Sequence, residues 1–266
     1  MRFAINYSPQ AEALLRDGMI AVDLWKCPDW PDLIETARNS RPVYVHFPLD
    51  TGTAPADLER VEGLRRETET PFINLHLLAQ AADFPEIPAQ SRSGRDLAAV
   101  TAQLIRQVER VTQRFGAERV MVENLIYRGP EGKYLLAGIL PEVIGAVVRE
   151  TGCRLLLDTA HATIAARHLG VEPREYIAQL PVEALRELHI TGVAYHSQRW
   201  RDHLPMTEAD FALAGWVLEQ IREHRWPEPW VVSLEYGGIG PAFEWRSEAS
   251  VIAEQAPRLL RLVRRP

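Results

Sequence analysis

The chain has 266 residues, of which 46% are hydrophobic and 25% charged, and its formal net charge is −6. That is enough apolar material for a large core, and α/β barrels reach this length as one domain, so residues 1–266 are expected to form a single domain. The acidic balance argues against general nucleic-acid binding, which needs a surplus of Lys and Arg on one face, and no apolar run approaches the length of a membrane span.

Only two cysteines occur, Cys27 and Cys153, and they form no close-spaced pair, so neither a disulfide framework nor a thiolate zinc site is indicated. With a strand-like start in place of a basic and then apolar leader, this predicts a cytoplasmic protein.

Short β-branched or Leu-rich runs alternate with segments of helical periodicity, the pattern of βα units around a parallel sheet. Strands are predicted at residues 3–7, 21–26, 43–47, 72–76, 120–123, 154–158, 185–190 and 231–235, and eight parallel strands suit closure into a single-domain (β/α)8 TIM barrel. The clearest helix, over residues 94–114, carries Leu97, Val100, Leu104, Val108 and Val111 at three- and four-residue steps. Ser93 with Asp96, and Thr207 with Asp210, read as helix-start signals, the second for a helix running to about His224. Residues 77–92, with Pro85 and Pro88, form the longest irregular segment and are expected over the barrel mouth.

Six consecutive predicted strands end in a ligand-type residue: His46, His76, Glu123, Asp158, His189 and Glu235. Strand ends converge on one face of a barrel, so these residues are expected to become neighbours there. A lone His or Glu at such a place is more often a satisfied polar group than a ligand, and the alignment of six is what points to a metal centre. His161, in the run Asp158-Thr-Ala-His161, and the adjacent Asp202 and His203 lie just beyond strands and extend the set. Imidazole nitrogen mixed with carboxylate oxygen suits iron, zinc or manganese better than magnesium or calcium. One ion takes three or four protein ligands, so this many candidates predicts two or three divalent ions sharing carboxylates. Glu123 and Glu235 are the candidate catalytic carboxylates.

Residues 195–203 read as a loop placing Arg199 and Arg201 beside Trp200, suited to an anionic or planar substrate group. Tyr236-Gly237-Gly238-Ile239-Gly240 is either an anion-binding turn or a plain tight turn. His168 and His224 are expected to be structural or exposed, and His196 is open to either role. Arg258, Arg261, Arg264 and Arg265 are read as cations gathered at a helix end. Cys27 is expected near the site and Cys153 at the opposite end.

With those residues in place, the chain resembles the xylose-isomerase-like barrel superfamily of sugar isomerases, epimerases and endonuclease IV over nearly its whole length. Within it the chain is most similar to the DUF692 family, multinuclear non-haem iron-dependent oxidative enzymes. Glu123-Asn124, the stretch Gly152-Cys-Arg-Leu-Leu-Leu-Asp158, Leu180-Pro181, Glu187-Leu-His189-Ile-Thr-Gly192 and Leu234-Glu235 carry the likeness. The resemblance implies iron held by His46, His76, Glu123, Asp158, His189, His203 and Glu235, and oxidation of a peptide, often at cysteine. Asn124 joins Arg199, Trp200 and Arg201 as a candidate substrate contact. Such a substrate is a peptide or small molecule, and a partner protein could present the peptide.

Three positions depart from the family pattern: His161 stands where Asn is usual and resembles the zinc pattern of endonuclease IV, Asp202-His203 replaces a spaced pair, and Glu235-Tyr236-Gly237 replaces Glu-Trp-Asp. Two other readings therefore stay open. One is a sugar isomerase or epimerase with a single ion on Glu123, Asp158, His189 and Glu235, and the other is a zinc phosphodiesterase.

Overall fold

A computed structural model of the protein describes residues 1–52, 57–241 and 246–265. Its strands are β1 (Arg2–Asn6), β2 (Leu24–Cys27), β3 (Val43–Val45), β4 (Ile73–His76), β5 (Val120–Glu123), β6 (Arg154–Asp158), β7 (Leu185–Ile190), β8 (Gly192–His196), β9 (Arg199–Leu204) and β10 (Val231–Leu234). Eight of them form one curled sheet in the order β3-β2-β1-β10-β7-β6-β5-β4, and its paired neighbours run parallel. All eight predicted strands are there, with β2 shorter at its start and β3 ending before His46.

Helices α1 (Pro9–Arg16), α2 (Pro31–Arg38), α3 (Leu58–Glu67), α4 (Gly94–Phe115), α5 (Pro141–Thr151), α6 (Thr159–Leu169), α7 (Pro173–Gln179), α8 (Glu208–Arg222) and α9 (Ala249–Val263) complete the α/β barrel. The predicted stripe on α4 is real: Val100, Leu104, Val108 and Val111 are buried, and Ser93 Oγ accepts from the Asp96 N–H at 3.2 Å. Thr207 and Asp210 form a full capping box at α8. β6 runs straight into α6, so that Asp158 is at once the last residue of the strand and the N-cap of the helix.

The ladder of hydrogen bonds is interrupted between β3 and β4, and side chains bridge the gap. Asn74 Oδ1 accepts from the Phe47 N–H at 2.7 Å while its Nδ2 donates to Phe47 O at 2.8 Å, and Thr70 Oγ1 accepts from the Val45 N–H at 3.0 Å. Past the strand, His76 N–H donates to Leu49 O at 2.7 Å and Thr51 N–H to His76 O at 2.9 Å, closing the barrel wall.

The segment predicted as an irregular loop over residues 195–203 is an antiparallel hairpin of β8 and β9. Its two turn residues, Ser197 and Gln198, have φ of 49° and 63°, the left-handed pair of a type I′ turn. The usual Asn-Gly or Asp-Gly signal is missing, which hid the hairpin in the sequence. At its base Gly192 leaves no room for a side chain, since a Cβ would overlap the carbonyl oxygens of Leu204 and Pro205. Residues 77–92 are not featureless either: Ala81–Asp83 form a 3-10 turn, and Leu135 and Leu136 N–H groups bond Ala79 O and Ala89 O.

Candidate metal centre

A cavity of about 290 Å³ opens at the carboxyl ends of the strands and is lined by His46, His76, Glu123, His161, His203 and Glu235, among others. Asp158 and His189 are fully buried beside it, with ligand atoms within 4.8 Å of one another and of Glu235. The six strand-end residues are thus brought together as the sequence predicts.

Hydrogen-bond bookkeeping fixes what His46 and His76 present to this cavity. The Phe47 N–H fixes the Asn74 amide so that its Nδ2 donates toward His46 Nε2 at 3.3 Å, which makes that nitrogen an acceptor. His76 Nδ1 lies 2.7 Å from Asp50 Oδ1, and a carboxylate there keeps a proton on Nδ1 and turns Nε2 toward the cavity. The two Nε2 atoms are 3.1 Å apart, and Glu123 Oε2 stands 3.6 and 3.5 Å from them. The two imidazole nitrogens and the carboxylate oxygen therefore converge within 3.6 Å of one another. Glu123 Oε2, buried, accepts no hydrogen bond among the described residues.

Asp158 Oδ1 caps α6 by accepting from the His161 N–H at 2.7 Å, while the buried Oδ2 has no donor among the described residues. His161 is therefore a first-turn helix residue rather than a loop residue, and it is 7% exposed. Its Nδ1 lies 3.0 Å from Asn124 O and 3.2 Å from Glu123 Oε1; since a carbonyl only accepts, Nδ1 carries hydrogen. The nitrogen open to an ion is Nε2, 3.0 Å from Asp202 Oδ2, so His161 is teamed with Asp202 more than with Asp158. His203 is arranged alike, with Nδ1 at 2.8 Å from Glu235 O and Nε2 3.7 Å from Asp202 Oδ2.

Burial alone would lower the His161 pKa, but Asp158 together with the hydrogen bonds to Asp202 and Glu123 outweighs it and holds the ring cationic. Burial pushes the Asp158 carboxyl up to about 6. For Glu123 burial acts upward too, yet the His161 hydrogen bond and the neighbouring His76 bring the net shift downward.

Sequence reasoning missed Lys26. It is the penultimate residue of β2, in register with Asn6 and Tyr44, is 5% exposed, and its ammonium pairs with Glu235 Oε1 and lies 3.5 Å from His189 Nδ1. Burial lowers its pKa to about 8, opposed by Glu123, Glu187 and Asp158, so the charge persists at neutral pH. The available signal was a lysine within an otherwise apolar strand that is buried on both sides. Asp50 and Asn74, which aim the histidines, were also missed, because neither stands at a strand end.

The proposed substrate contacts fare differently. Asn124 faces away from the cavity: it is fully buried, and its amide bonds the Asp158 backbone at both ends, Oδ1 at 2.9 Å and Nδ2 at 3.0 Å. It straps β5 to β6 and has no substrate-facing donor pair. Arg199 is exposed on β9, and Trp200 packs on Ile126, Ala160, Ile164 and Val193 with the Arg167 guanidinium 3.9 Å above its ring. Arg201 is half-buried on the same strand. His168 and His224 are exposed, away from the cavity, as is His196 at the hairpin tip.

Cys27 lines the cavity, its thiol pushed up to about 12 by burial, and Cys153 lies elsewhere. Gly237 and Gly238 line the cavity too, in backbone conformations, φ 87° and 139°, that suit glycine. Of the terminal arginines, Arg258 grips Glu208 and Arg264 bonds Asp23 at 3.0 Å.

The eight parallel strands with their helices define the class of α/β TIM-barrel folds. A D-psicose 3-epimerase from Clostridium cellulolyticum superposes with a TM-score of 0.60 at 13% identity, over 99% of this chain and 98% of that one. Endonuclease IV from Thermus thermophilus does so with a TM-score of 0.55 at 16% identity, over 98% and 99%. These likenesses establish the fold. Within the class, the chain belongs to the MbnB/TglH/ChrH family of RiPP precursor modification enzymes, whose model matches residues 52–224. A UPF0276 protein of Caulobacter vibrioides is 28% identical over 170 residues, an alignment that spans 60% of this chain and 58% of the relative's length.

Proposed function

We propose that the protein is an iron-dependent enzyme that oxidatively modifies a peptide precursor. The observation that carries this is the convergence of His46 Nε2, His76 Nε2 and Glu123 Oε2 within 3.6 Å of one another, two imidazole nitrogens and a buried carboxylate oxygen that accepts no hydrogen bond among the described residues, a donor set suited to a divalent cation. These three residues would hold one ion. Asp158, His161, Asp202 and His203 would serve a second, and an ion on His161 Nε2 would release the proton that the ring now carries. Bound iron supplies the redox chemistry with dioxygen that no side chain of this chain provides.

The chain's own residues do the positioning. Asp50 orients His76, Asn74 orients His46, and Glu123 spans both groups of ligands with its two oxygens. Tyr7, Pro28, Trp30 and Ile239 give the cavity an apolar wall that would exclude water around a peptide side chain. Arg199 and Arg201 on the hairpin are candidate contacts for carboxylates or carbonyls of the peptide. The family match supports a peptide substrate, and the two free, buried thiols suit a cytoplasmic setting. The single-ion epimerase reading is weaker, because two of its four ligands, His189 and Glu235, face the Lys26 ammonium.

Elemental analysis of protein isolated without added metal tests this. Two irons per chain, together with a mass change in a cysteine-containing peptide that depends on dioxygen and is lost in Glu123→Gln, are expected. Zinc or a single manganese in place of iron would overturn it.

A further inference from the structure

Three carboxylate and imidazole groups, Asp158, His189 and Glu235, converge closely enough to hold an ion. Unlike the His46–His76–Glu123 group, this one already contains a positive charge. The Lys26 ammonium pairs with Glu235 Oε1 and reaches His189 Nδ1 at 3.5 Å. We propose that the Lys26 ammonium is the resident cation of the Asp158–His189–Glu235 pocket, so that this third position is closed to metal. The proposal rests on the metalloenzyme reading for what occupies the other two positions.

The hydrogen-bond chain behind His189 supports it. His189 Nε2 stands 2.7 Å from Glu187 Oε1, and Glu187 Oε2 accepts from Trp230 Nε1–H at 3.1 Å. Glu187 is 2% exposed, so a hydrogen shared along the Nε2 contact is retained within the core. With that hydrogen on Nε2, Nδ1 presents a lone pair, and a metal at the pocket would need that same pair. Lys26 donates to it instead. The ammonium also meets Glu235 Oε1, the oxygen that lies 3.1 Å from His189 Nδ1, so both ligand atoms turn toward one donor. A divalent ion brought beside a buried ammonium would meet like-charge repulsion in a poorly screened interior. The arrangement thus gives the barrel a fixed, non-exchangeable charge where its strand ends alone would suggest another ligand set.

Uptake of cobalt(II), counted by titration and by elemental analysis after desalting, tests this on metal-stripped wild type, Lys26→Met, Lys26→Arg and Glu235→Gln. Lys26→Met is expected to take up one equivalent more than wild type, with Lys26→Arg and Glu235→Gln unchanged. Equal uptake by Lys26→Met and wild type, or loss of an equivalent in Glu235→Gln, would overturn the proposal. If Lys26→Met does not fold, the Glu235→Gln count decides alone, since a true ligand cannot be lost without cost in uptake. A wild-type count of zero would sink the metalloenzyme reading and still leave the difference between variants to judge this one.

Discussion

Replacing Asn74 with Leu tests whether side chains really close the barrel between β3 and β4. The substitution keeps the volume close to native, so the cavity contribution is small, but it strands the Phe47 N–H and C=O that Asn74 bonds at 2.7 and 2.8 Å. Each buried backbone group left without a partner costs about 1–3 kcal/mol, which for the two groups comes to roughly 2–6 kcal/mol. Against a total stability of about 5–15 kcal/mol, that is a large fraction. With a urea slope of about 3 kcal/mol per molar, the unfolding midpoint should fall by roughly 0.7–2 M. Thr70→Val, which strands only the Val45 N–H, should lose about half as much. Urea unfolding followed by circular dichroism on metal-free protein reads both. A midpoint in Asn74→Leu within about 0.2 M of wild type, with the slope unchanged, would refute the seam argument.

Asp158→Asn keeps a good N-cap for α6 while removing the charge at Oδ2, so metal content should drop by about one ion with little change in stability, and His168→Ala should leave it alone. Equal metal in both variants would count against Asp158. Likewise His161→Asn should weaken uptake of one ion, and a titration identical to wild type would return His161 to a purely structural role. Glu62, paired with Arg65 and Arg66, has its carboxyl lowered to about 2 from the ordinary 4.5, so its stabilisation is complete above pH 4.5 and fades as the pH falls toward 2. The stability difference between wild type and Glu62→Gln should be about 1 kcal/mol at pH 7 after solvent screening and shrink below pH 4; a difference that grows on acidification is incompatible with that pairing. Gly192→Ala should cost about 1–3 kcal/mol or more by forcing the hairpin base apart, and a thermal midpoint equal to wild type would show the contact to be pliable.

The strand ends were legible because parallel strands buried on both faces are short apolar runs, against which a terminal His, Asp or Glu stands out. Lys26 ends the predicted strand 21–26 in the same way, but a lysine reads as a solvated charge until the barrel is closed around it. Asn124 read as a site residue because it adjoins Glu123, yet successive strand residues point to opposite faces, and its amide spends itself on the Asp158 backbone. The I′ turn at Ser197 and Gln198 was illegible for a different reason: two non-glycine residues take a conformation for which their identities give little warning. The orienting bonds from Asp50 and Asn74 depend on tertiary neighbours, so residue spacing could not show them.

The junction of β6 and α6 limits how this barrel can diversify. TIM barrels acquire new specificities mainly by exchanging and lengthening the loops that follow their strands. Here no residue separates Asp158 from the first turn it caps, and a single inserted residue would part the cap from its helix and move the carboxylate away from His189 and Glu235. Loop grafting is therefore better aimed at the tip of the β8–β9 hairpin, at Ser197 and Gln198, and at residues 77–92, where length can change without moving a strand-end carboxylate.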